Sequence, residues 1–143
     1  MRFQMNDGGR GEAGFTGKIQ PRDCVCRAIA IATGKDYREV YDEINTRSKS
    51  ARKGSRKSRS SARNGVFKEL AKELLAGWGW EWVPTMKVGQ GCRVHLREDE
   101  LPGGTIICKV SKHFCTVIDG VIHDAFDPRR DGSRCVYGYW VQG

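Results

Sequence analysis

The 143-residue sequence has no apolar run near the roughly 18 residues needed to cross a bilayer, so no membrane-spanning segment is expected. No apolar core follows a basic start in Met1 to Gly17, a polar, glycine-rich stretch; no secretory signal is read, and the expected compartment is the cytoplasm. Paired C-x-x-C knuckles are missing too. The closest cysteines, Cys24 and Cys26, have one residue between them, which argues against structural zinc, and neither metal nor cofactor is expected. Gly89-Gln90-Gly91 lacks the strand-to-helix setting of a phosphate loop. Trp78, Trp80 and Trp82 lack the interleaved basic residues of a base-stacking platform and are read as core or cleft wall. Neither internal repeats nor alternating strand and helix units are visible.

What is present has an ordinary globular balance, 38% hydrophobic and 29% charged, and the length suits one domain spanning 1–143. The net charge of +8 is concentrated in residues 47–64, where Arg47, Lys49, Arg52, Lys53, Arg56, Lys57, Arg59 and Arg63 stand without an acidic neighbour. Those eight are the excess of the 25 basic over the 17 acidic residues, so the rest of the chain is formally neutral. Residues 46–64 have almost nothing to bury and read as a flexible basic insertion. Arg52, Lys53, Arg56, Lys57 and Arg59 are its candidate contacts to nucleic acid or an acidic protein. The six cysteines are expected to be free thiols in a reducing compartment, with Cys92, Cys108, Cys115 and Cys135 as core filler.

Val25, Ala28, Ile29 and Ala32 form an i, i+3, i+4, i+7 stripe between Asp23, a candidate N-cap, and Gly34; with Ala30 and Ile31 on the other side, this helix is apolar nearly all round and should be buried. A second helix carries Tyr37, Val40, Tyr41 and Ile44 and is expected to end near Asn45; a third carries Phe67, Leu70 and Leu74 and closes at Gly77. The rest reads as strands: Trp80 and Trp82, Cys92 to Leu96, an acidic turn at Arg97 to Glu100, then Thr105 to Val110 and Arg134 to Val141. His113 to Ile118, Asp119-Gly120 and Val121 to Phe126 form a hairpin with a two-residue type I′ turn. Helices first and a strand meander after them imply α+β, with the helices packed on one antiparallel sheet.

Cys24 stands at the head of the buried helix, where free backbone amides and the helix dipole favour an anion, so it is the candidate nucleophile. The hairpin register pairs His113 with Phe126 and makes Asp124 its diagonal neighbour, at a Cα separation of about 7–8 Å that a carboxylate–imidazole hydrogen bond can span. Nucleophile, base and orienter would then be Cys24, His113 and Asp124. By the same register His123 faces away from His113, and His95 lies on a separate strand; both are read as solvent-facing or hydrogen-bonded.

Gln20-Pro21-Arg22-Asp23-Cys24 opening an apolar helix, followed by His113 on one strand and Asp124 on the next, resembles the Gln, Cys, His, Asp/Asn order of papain-like cysteine peptidases. Asp23-Cys24 before a small-residue helix resembles the bacteriocin-processing peptidase domains of ABC exporters. Over most of the chain, the segments Asp23 to Ala30 and His113 to Asp127 are similar to small bacteriophage and prophage proteins of papain-like type. The resemblance implies a papain-like α+β fold in the cytoplasm of a bacterial host and a peptide or amide substrate. It assigns Cys24 as nucleophile, His113 as general base, Asp124 as orienter and Gln20 as oxyanion donor. Papain-like enzymes place Gln six residues before Cys, a spacing that fits Cys26, whereas the Asp-Cys likeness fits Cys24; Cys26 is therefore the alternative nucleophile. Asp127, in Asp127-Pro128, is the alternative orienter, although pleat parity sets it on the wrong face without a bulge. Peptidase, amidase, deamidase and acyl transferase all use this set. The alternative is a non-enzymatic phage accessory protein that binds through its basic loop.

Overall fold

An apolar helix with no polar face can be satisfied only by burial, and the first helix is placed accordingly. The computed structural model describes residues 1–14, 24–51, 68–86, 89–129 and 132–142. Helix α1 (Cys24–Thr33) is buried continuously from Cys24 to Ala30, and each fully buried side chain such as Ile29 contributes about 1.5–3 kcal/mol. Helix α2 (Tyr37–Ala51) buries Tyr37, Val40 and Ile44. It does not stop at Asn45 as expected: Glu43 and Arg47 pair at 2.9 Å and the Thr46 hydroxyl donates to the Asp42 carbonyl, polar support that an apolar-stripe reading does not register. Residues 46–51 therefore belong to a helix, and residues 52–67 of the expected insertion lie outside the described residues. Helix α3 (Lys68–Gly77) buries Leu70, Ala71, Leu74 and Leu75.

The strands are β1 (Arg2–Met5), β2 (Trp80–Pro84), β3 (Thr105–Val110), β4 (His113–Ile118), β5 (Val121–Asp124) and β6 (Val136–Gln142), and they form one sheet in the order β1-β5-β4-β3-β6-β2. The sheet is mixed, not purely antiparallel as expected. β1 lies parallel to β5, with Arg2 opposite Val121 and Met5 opposite Asp124. Its four residues, Arg2-Phe3-Gln4-Met5, alternate polar and apolar but are too few to announce a strand, and its partner lies more than a hundred residues away. The β4–β5 hairpin turns as expected, Ile118 pairing with Val121 and Asp119 and Gly120 both at positive φ (47° and 81°), but β5 ends at Asp124, short of the expected Phe126, and the ladder pairs only Thr116–Ile118 with Val121–His123.

The fold is α+β. On one face of the sheet Ile107, Phe114 and Trp140 pack with the three helices, and the Thr116 hydroxyl donates to the Ala28 carbonyl at 2.6 Å, tying β4 to α1. On the other face Ile106, Cys108, Val110, Cys115, Val117, Ile122 and Val136 form a second core closed by Leu96, with Val94 and Leu101 against it. Cys92 to Leu96 is not a strand; it makes one bridge, His95 to Cys135. That crossing sets Cys92 and Cys135 5.9 Å apart at Cα, and they form a disulfide. This overturns both the expectation of six free thiols and the assignment of these two as core filler, since Cys92 is exposed. No helix among the described residues is long and apolar enough to cross a membrane.

Candidate functional site

Cys24 opens α1, His113 opens β4, and Asp124 closes β5. All three therefore sit at element ends; His113 and Asp124 are in contact, and Cys24 is near enough to the imidazole to affect its pKa. Pleat alternation puts Asp124 in phase with Ile122 and His113 in phase with Cys115, as the diagonal register requires. The Nε2–H of His113 donates to Asp124 Oδ2 at 2.6 Å, because a carboxylate can only accept. The Cys24 thiol lies close enough to the imidazole to help raise its pKa.

The electrostatics follow from burial and partners. Burial by itself pulls the His113 pKa down, but the hydrogen bond to Asp124, with the nearby Cys24 thiol, outweighs it and pushes the value up to about 9. The ring is thus an imidazolium at neutral pH. Asp124 is 3% exposed and fully engaged: Oδ1 accepts the Ala125 N–H at 2.7 Å and lies 3.7 Å from Arg27 Nη2. Arg27 is buried and stands three residues after Cys24, so one face of α1 carries the sulfur and the cation on either side of the His113–Asp124 pair. Burial lowers the guanidinium pKa and Asp124 opposes the shift, while the Phe126 ring lies 5.9 Å from the guanidinium carbon. Sequence reasoning assigned Arg27 no role, although it is the one charged residue of an otherwise apolar helix.

Cys26, the alternative nucleophile, is fully buried; its thiol donates to the Tyr37 carbonyl, and burial raises its pKa to about 12. Asp127, the alternative orienter, is exposed and held by Arg129, whose Nη2 lies 2.6 Å from Oδ2; this pairing holds its carboxyl below the usual range. It is Asp124 that meets the imidazole. Gln20 and the basic residues Arg52, Lys53, Arg56, Lys57 and Arg59 lie outside the described residues. Cys108 and Cys115 face each other across β3 and β4, buried and free; their mutual hydrogen bond and burial raise the Cys115 pKa. His95 contacts Glu100 at 3.2 Å and His123 contacts Asn6 at 3.4 Å, and neither joins the site. Among the described residues, no three His, Cys, Asp or Glu side chains cluster as a metal ion would need.

A groove of about 410 Å³ runs beside His113, with Lys112, Phe126 and Arg134 in its walls. A larger cavity of about 590 Å³, between Leu96 to Asp99 and Arg129, brings neither thiol nor imidazole. Comparison with protein-family models, with curated proteins and with solved structures found no match to this chain.

Proposed function

We propose that the protein is a papain-like cysteine hydrolase acting on a peptide or other amide bond, with Cys24 as nucleophile, His113 as acid and base, and Asp124 as orienter. The observation that carries this reading is the His113 imidazole bonded to the buried Asp124 carboxylate, with the thiol at the head of α1 close enough to raise its pKa. In the reactive form the thiolate faces the imidazolium. The sulfur attacks the carbonyl carbon, forming a C–S bond and an oxyanion that the Cys24 backbone amide is placed to stabilise, with Gln20 as the second donor. The imidazolium gives its proton to the departing amine as the C–N bond breaks. Water then loses a proton to the neutral imidazole and attacks the thioester, the acid leaves, and the ion pair is restored. An amine or hydroxyl in place of that water makes the same machinery an acyl transferase.

Cys24 is 7% exposed, more than any other free thiol, so small reagents reach it first. Iodoacetamide at neutral pH is expected to modify Cys24 selectively, and His113→Ala, with folding checked by circular dichroism, to slow that reaction by roughly tenfold or more. Removing the ring opens the site, so an effect of access alone would speed labelling. Uniform, slow labelling that is indifferent to His113 would end this reading.

A further inference from the structure

The groove beside His113 has a chemical bias. Lys112 sits at the β3–β4 turn with φ of 55°, a conformation that a lysine rarely adopts and that is more at home in glycine, asparagine or aspartate. The turn holds this exposed cation over the groove. Arg134 also lines the groove, its Nη2 donating to the Ser111 carbonyl, which fixes a second cation beside the same turn. Among the described residues that line it, the carboxylate is Asp127, bound by Arg129 through both oxygens, so its charge is already compensated. Phe126, 48% exposed, supplies an apolar surface among these charges. A space with two cations, a neutralised carboxylate and an exposed ring, opening directly on His113, is built for an anionic group attached to an apolar stem.

We propose that this groove binds a carboxylate of the substrate next to the reacting amide, so that the preferred substrate is an acidic peptide segment. The inference rests on the hydrolase reading above and names its substrate class. Lys112 and Arg134 hold the carboxylate, and the Phe126 ring covers the methylene groups that carry it.

The test uses two alkylating reagents that differ in charge, iodoacetate and iodoacetamide, on the full chain. Each forms an S–C bond at Cys24 and releases iodide, so the ratio of their rates reports the local preference for an anion and cancels changes in thiol reactivity common to both. Lys112→Asn and Lys112→Asp tolerate the positive φ, which keeps the turn intact. The iodoacetate-to-iodoacetamide ratio is expected to fall by about two- to fivefold in Lys112→Asn, further in Lys112→Asp, and towards a common value in all three proteins at high salt. An acetylated glutamate–glycine peptide is expected to slow the alkylation of wild type, and its lysine counterpart to leave it unaffected. Equal ratios in the three proteins, or no protection by the glutamate peptide, overturns the inference. Failure of the hydrolase reading is seen separately, in an iodoacetamide rate that ignores His113→Ala, and the ratio is still measurable there.

Discussion

At the scale of single residues, the buried chain Cys24, His113, Asp124, Arg27 sets one expectation about pH. The His113 pKa is raised from an ordinary 6.5 to about 9 in the folded protein, so the folded state binds this proton more tightly than the unfolded chain does. Its contribution is complete below about pH 6.5 and disappears as pH rises through about 9, with an upper bound of roughly 3 kcal/mol. Wild type and His113→Phe compared by urea unfolding at pH 6 and at pH 9.5 should differ more at the lower pH; a difference that is the same at both, or larger at pH 9.5, contradicts the assignment of a charged imidazole. The positions of Cys24, His113 and Asp124, and the His113–Asp124 contact, are legible in the sequence because local rules place them: a helix start, a strand start, and a hairpin register set by a two-residue turn. Arg27 was not legible in this way. A lone arginine in an apolar helix is ambiguous until its counter-ion is known, and that counter-ion lies 97 positions further on.

At the scale of elements, the sheet depends on one close approach. Gly138 in β6 lies against the Trp82 indole of β2, and a Cβ there would overlap the ring and stand 2.9 Å from the Val83 carbonyl. Trp82 in turn packs on Trp140, ring centroids 4.4 Å apart, and Trp140 on Phe114. Gly138→Ala is therefore expected to displace the indole and cost about 1–3 kcal/mol in denaturant unfolding, with loss of tryptophan near-ultraviolet ellipticity. An unchanged midpoint would show that β2 is not held through this contact. The tryptophan strand was read from its aromatic content, whereas its position beside β6, the last strand, depends on a long-range pairing that no local pattern encodes. The short β1 likewise depends on a distant partner, and the last turns of α2 rest on polar pairs that an apolar stripe does not reveal.

At the scale of the whole molecule, the face of the sheet away from the helices is closed by the loop that carries Leu96, and the Cys92–Cys135 disulfide spans 43 positions to fasten it. Denatured, unreduced protein is expected to take up four N-ethylmaleimide groups, at Cys24, Cys26, Cys108 and Cys115, and reduction is expected to cost about 2–4 kcal/mol of stability. Six adducts without reductant would show that the bridge does not form. The sequence by itself determined the three helices, the hairpin with its register, the α+β class and the triad candidates, because hydrophobic period, helix ends and turn chemistry act over a few residues. Only the tertiary structure decided that the sheet is mixed, that two cysteines join, and that Cys26 is locked in the core. Those outcomes depend on which distant surfaces pack together, and the free energy that selects them comes from burial and pairing across the whole chain.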